Sequence, residues 1–112
     1  MAHDILYANS DQSGLEKQNY IFDFSPYLTG DTVLSNIARG SSIVAFNSSG
    51  TDVSSTILSN KLRTNMLLSC DISAVVEGEE YRIEFAGQGN TTLRIQVLVL
   101  EVRARKLIQG GF

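Results

Sequence analysis

One histidine, one cysteine and no tryptophan leave this chain of 112 residues short of the side chains that carry most protein chemistry. His3 lies in a terminal stretch that cannot hold a general base in place, so neither a Ser-His-Asp nor a Cys-His arrangement is expected. Cys70 has no partner for an internal disulfide, and stability must come from packing. No Cys and His cluster has the spacing of a transition-metal site, and no cofactor is expected. Long apolar runs of membrane-spanning length are missing. Basic charge is scarce too: nine Lys and Arg against twelve Asp and Glu give a net charge of -3, where a phosphate backbone calls for a concentrated positive surface. Nucleic acid and membrane are therefore not expected partners. The first ten residues contain no basic segment leading into an apolar stretch, which predicts synthesis in a cytosol.

What is present is globular composition. Hydrophobic residues make up 43% and charged residues 19%, too apolar for a disordered chain, and the length suits one domain burying roughly two-thirds of its unfolded surface. The lone Pro26 falls in the stretch around which the rest is organised, Tyr20 to Val33. Tyr20, Phe22 and Phe24 alternate with Ile21 and Asp23, the period of a strand with one aromatic face inward. Pro26 ends that strand, and Gly30 beside Asp31 allows a second change of direction. Asp23 and Asp31 are expected to accept hydrogen bonds from turn amides.

Further strands are predicted over Thr32–Ala38, Ile43–Phe46 and, as a β-branched edge strand, Asp52–Ser59. Met66 to Val76 alternates most cleanly, with Met66, Leu68, Cys70, Ile72, Ala74 and Val76 on one face. The acidic run Glu77-Gly78-Glu79-Glu80 then reads as a hairpin turn into Tyr81, Ile83 and Phe85. Its carboxylates, solvated in a turn, suit neither a glycosidase pair nor a calcium site. Cys70, on the apolar face, is expected to be a buried hydrophobe. Asn47-Ser48-Ser49 and Asn90-Thr91-Thr92 match glycosylation acceptors by chance in a chain without a secretion signal.

The last strand changes phase. Leu93, Ile95, Val97 and Val99 share one face, but Leu98, Leu100 and Val102 share the other. A β-bulge near Val97 or burial on both faces would account for it. Without a bulge, and with one face of the strand available to its own core, Leu98, Leu100 and Val102 form an apolar strip covered by a neighbouring subunit or by the chain's own Ile5-Leu6-Tyr7. Arg103 and Arg105 add a basic end suited to a salt-sensitive subunit contact. Residues 1–18 read as a flexible arm, 19–105 as the domain and 106–112 as a tail. Seven or so short strands without a helix-period segment predict an all-β, two-sheet antiparallel sandwich.

Phe22-Asp23-Phe24-Ser25 followed by Tyr27-Leu28-Thr29-Gly30-Asp31-Thr32-Val33 resembles the signature of small immunoglobulin-like structural proteins of tailed bacteriophages, the fibre-tail adaptor-like family. In that family an Asp-Trp-Ser triplet runs into Leu-x-Gly-Asp-Thr-Ile, followed by short strands, a Gly-centred hairpin with a Tyr after it, and a closing strand ending in Arg-Val. Val76-Glu77-Gly78-Glu79-Glu80-Tyr81 and Leu93 to Arg103 stand at the last two places here, so the likeness spans about residues 18 to 105. Phe24 replaces the tryptophan, and the paired glycines usual before the hairpin are absent. The resemblance implies an immunoglobulin-like sandwich without catalysis, a virion protein made in the host cytoplasm, self-associating and joining tail or fibre components. A carbohydrate-binding adhesion module and a capsid-surface decoration protein are the alternatives that share such a fold.

Overall fold

A computed structural model describes residues 5–13 and 17–103, with 5–13 and Arg103 as main chain alone. Seven strands and one helical turn follow in the order β1 (Ile5–Ser13), β2 (Gln18–Asp23), β3 (Ser42–Phe46), α1 (Ser54–Ile57), β4 (Leu58–Thr64), β5 (Leu67–Ile72), β6 (Glu80–Gln88) and β7 (Leu93–Arg103). They form two sheets, β1-β7-β6-β3 and β2-β5-β4, antiparallel throughout except where β1 runs parallel to β7. Strand alternation builds the core between them. β5 contributes Leu68, Cys70 and Ile72, β6 Tyr81, Ile83 and Phe85, and β3 Ile43 and Ala45, all buried in one cluster.

This is an all-β, immunoglobulin-like sandwich. The three-stranded sheet has the B-E-D order of that fold, and β3, β6 and β7 have the order C-F-G; the first strand lies against the last instead of against B. The corner into β6 carries a second mark of the fold. Tyr81, at the start of β6, is buried, and its hydroxyl accepts a hydrogen bond from the Val76 N–H at 3.1 Å, so an aromatic side chain pins the crossover to its own upstream backbone.

Several elements differ from the sequence expectation, each for a local reason. Thr32–Ala38 is not a strand. The Leu34 N–H bonds to the Asn65 carbonyl in one sheet's hairpin and the Ser35 N–H to the Gln88 carbonyl in the other, so this stretch spans the layers and can join neither ladder. Within 52–59 the edge strand gives way to α1, because the Asp52 carboxylate accepts the Ser54 N–H and the Thr56 and Ile57 amides close onto the Val53 carbonyl. The edge strand that does form, β4, takes in Asn60 and Lys61. The strand starting near Met66 stops at Ile72, and the acidic turn does not make a hairpin: β5 and β6 belong to different sheets. Val75 plugs the core between them, and Gly78 and Glu79 exchange backbone hydrogen bonds with Val102. The hairpins are β4-β5, turning at Asn65-Met66, and β6-β7, turning after Gln88.

The expected flexible arm is a correction as well. Ile5–Ser13 forms β1, nine residues in register with β7 from Ile5 opposite Ile95 to Ser13 opposite Arg103. Arg105 and the tail 106–112 lie outside the described residues.

Candidate assembly surface

The corner that carries the signature motif is knitted from inside outward. Phe24 is completely buried, and its N–H continues the ladder to the Met66 carbonyl at 2.9 Å. The Tyr27 and Leu28 amides then fold back on the Phe24 carbonyl, and the Asp31 N–H bonds to the Leu28 carbonyl. Gly30 sits at φ +94°, a left-handed conformation that a side chain would strain. Asp31 thereby reaches the far hairpin, where its carboxylate accepts the Asn90 N–H at 3.1 Å. Gly87 leaves room for Phe24: a Cβ there would come within 2.9 Å of the ring. The motif thus joins β2 to the β6-β7 hairpin by packing and by one carboxylate. Asp23 caps its own end of the corner, accepting the Ser25 N–H at 2.8 Å. The Ser25 hydroxyl, and then that N–H, hold the Asp23 carboxyl below its usual range.

From this corner a stack of side chains leads to the surface. Phe22 meets Phe24 edge-on at 4.6 Å and stacks on Tyr27 at 5.8 Å, and the Arg94 guanidinium lies 5.3 Å from the Tyr27 ring. Beside it, at the seam between β2 and β7, Tyr20, Phe22, Phe85 and Leu98 line an apolar crevice of about 130 Å³. A second hollow, of about 250 Å³, opens beside the 47–50 turn over Phe46, Glu80 and Arg82. There the Arg82 guanidinium, 5.7 Å above Phe46, already covers the ring face that a sugar would stack upon.

Leu98, Leu100 and Val102 do not form an external strip. All three are buried in the sandwich's own core, and β7 pairs with β6 without a register shift, so no bulge rotates them. The apolar phase change arises because the opposite face is covered too: Val97 is 2% exposed and Ile95 and Val99 are half-buried. Ile5, Leu6 and Tyr7 open β1 opposite Ile95, Gln96 and Val97, so the chain's own N-terminal segment runs along the strand named as its seat. Arg103 ends β7 opposite Ser13.

The sheet edges are treated unequally. Asp52 to Ser54 cover the edge of β3, with the Val53 N–H bonded to the Ala45 carbonyl and the Ala45 N–H to the Ser54 hydroxyl. β4 is broken by a register shift between Ser59 and Leu62 and carries Lys61 and Arg63. Among the described residues β2 has neither protection. Because the Phe24 N–H faces β5, alternation turns the backbone groups of Asn19, Ile21 and Asp23 away from it, and Ile21 is 61% exposed. Sequence reasoning did not single out this edge, although Ile21 between two aromatic positions was the available signal.

Cys70 is wholly buried, and desolvation, aided by the Asp71 charge, pushes its thiol up to about 12. Glu79 is hydrogen bonded by the Ser48 hydroxyl, which ties the acidic turn to the 47–50 turn. Among the described residues no three His, Cys, Asp or Glu side chains converge as metal ligands, and no helix is long and apolar enough to cross a membrane.

No family model and no curated protein matches the sequence. Among solved structures the chain is similar to a nucleoside hydrolase-related hypothetical protein from Saccharophagus degradans described as associated with carbohydrate metabolism, at 16% identity and a TM-score of 0.40. That match covers 88% of this chain and 22% of the other, so the chain spans about a fifth of its length.

Proposed function

We propose that this chain is a non-enzymatic structural protein of a tailed-bacteriophage particle, an adaptor that joins tail or fibre components and associates with further copies of itself. The observation that carries the reading is the use made of the signature residues. Phe24, Leu28, Gly30 and Asp31 are spent on building a corner that fastens one strand to a distant hairpin, and among the described residues β2 keeps an unpaired edge with Ile21 exposed on it. Such a scaffold offers contact area, not reacting groups. Other virion proteins are the partners, the virion is the location, and synthesis occurs in the host cytoplasm.

Purified particles test this directly. Quantitative mass spectrometry should find the protein at a fixed copy number, and electron microscopy should place it at the tail or fibre base in a multiple of the local symmetry. Absence from purified particles, together with saturable binding on a glycan array, would overturn the proposal in favour of an adhesion module.

A further inference from the structure

β1 is held differently from every other described strand. It is the one parallel strand among those described, and its ladder partner β7 belongs to the last described hairpin. Its second half, Asn9-Ser10-Asp11-Gln12-Ser13, contains no apolar residue, so the part opposite Val99 to Arg103 is specified by backbone pairing. A backbone ladder does not record which copy of the chain supplies it. The seat itself has to be filled, because the outer edge of β7 runs beside the buried Leu98, Leu100 and Val102 and would otherwise be an open edge beside the core.

The connection from β1 to β2 adds the second element. Four residues, 14–17, join a strand in one sheet to a strand in the other. A link of so few residues between two strands makes a short hinge, and short hinges favour exchange of the strand with a neighbour. We propose that, in the assembled state, β1 of one copy occupies the β7 edge of a second copy, parallel and in the register Ile5 opposite Ile95 to Ser13 opposite Arg103. This inference rests on the self-association in the proposed function. The contacts are the same within and between chains, so effective concentration decides the balance, and copies held side by side in a particle favour exchange.

The register supplies the test. Asn9 and Val99 are directly opposed, Val99 is only half-buried and lies on the face away from the core, and neighbouring strands are spaced within disulfide reach. Light and isotopically heavy forms of the Asn9→Cys, Val99→Cys chain are unfolded together, refolded at high concentration, fractionated by size, oxidised and digested. In the assembled fraction about half of the linked 9–99 peptides should combine a light with a heavy partner, the statistical share for links made between copies. Links confined to one isotopic form overturn the exchange. A Gly-Ser insertion between Lys17 and Gln18 gives an independent reading: the mixed share should fall as the longer hinge lets β1 close on its own β7, and an unchanged share overturns the hinge as its cause. Same-chain links in a protein that is nevertheless present in purified particles would overturn exchange alone and leave the adaptor reading standing; absence from particles would overturn that reading whatever the linkage.

Discussion

β5 and β7 are both flanked by strands on two sides, yet they treat their outer faces in opposite ways. The inner residues match: Leu68, Cys70 and Ile72 on β5, and Leu98, Leu100 and Val102 on β7, all belong to the core. Outside, β5 presents Ser69 and Asp71, with exposed Ile21 and Leu62 on either side of Ser69. Asp71 bridges the sheet, accepting the Asn19 amide at 2.9 Å and the Asn60 amide at 2.7 Å. β7 instead presents Ile95, Val97 and Val99, with Val97 closed off opposite Glu84 and alongside the Tyr7 position of β1. A central strand therefore need not have a wet side. Which face is the core is decided by what the opposite sheet contacts, and an apolar outer face is covered by neighbours within its own sheet.

The largest expected effect comes from the inner face of β7. Replacing Leu98 and Leu100 together with Ser should unfold the domain, because two polar groups would enter a dry core unpaired; loss of assembly with native circular dichroism would instead put these residues at an interface. Next, Leu100→Ala and Ile72→Ala, both completely buried, should each cost about 2–5 kcal/mol in urea unfolding, and a clear inequality would break the equivalence of the two inner faces. The outer faces should then separate. Val97→Ser should cost about 1–3 kcal/mol, whereas Ser69→Ala should stay within about 0.5 kcal/mol; equal midpoints would mean the outer face of β7 is as wet as that of β5.

The smallest effect is electrostatic. The Asn60 amide, followed by the Asn19 amide, holds the Asp71 carboxyl below its ordinary 3.8. A depressed folded value means that the native state binds this proton less tightly than the unfolded chain. The contribution is therefore present above 3.8 and disappears as pH falls through the lower folded value. Asp71→Asn should lower the urea midpoint slightly at neutral pH, and the gap from the parent should close under acid. A gap that persists at low pH would assign the effect to shape and not to charge.

Much of the fold could be read from periodicity alone, and the failures share one origin. Alternation located the start of β5 and the inner positions of β2 and β6, and the turn formers after Phe46 located the end of β3. It failed where something other than one-sided burial produced the pattern. Val33 and Ile37 alternate in a loop whose main anchor is the buried Leu34; Ile37 packs against the core from the side, and Val33 is exposed. β7 is apolar on both sides, so its phase could not reveal its core face. The Gly78 turn has hairpin chemistry, but the same residues serve a passage between layers, and only the pairing of Gly78 and Glu79 with Val102 separates the two. β1 went unseen because its polar half is held by main-chain bonds, which leave no trace in side-chain pattern. The candidate surface was legible at the corner, where the turn-amide role expected of Asp23 and Asp31 is what the carboxylates perform, though Asp31 reaches across to Asn90. The edge of β2, open among the described residues, was not, because an edge is defined by pairing that side-chain pattern does not encode.

Cys70 sits midway along β5, opposite Tyr20, with no solvent-accessible surface and a thiol that stays protonated. A thiol reagent can reach it only while β5 is parted from its neighbours or from the facing sheet. The time course of labelling at this one sulfur thus serves as a built-in clock for opening of the three-stranded sheet, read in the unmodified chain and, by repeating it in the assembled particle, able to show how far assembly slows that opening.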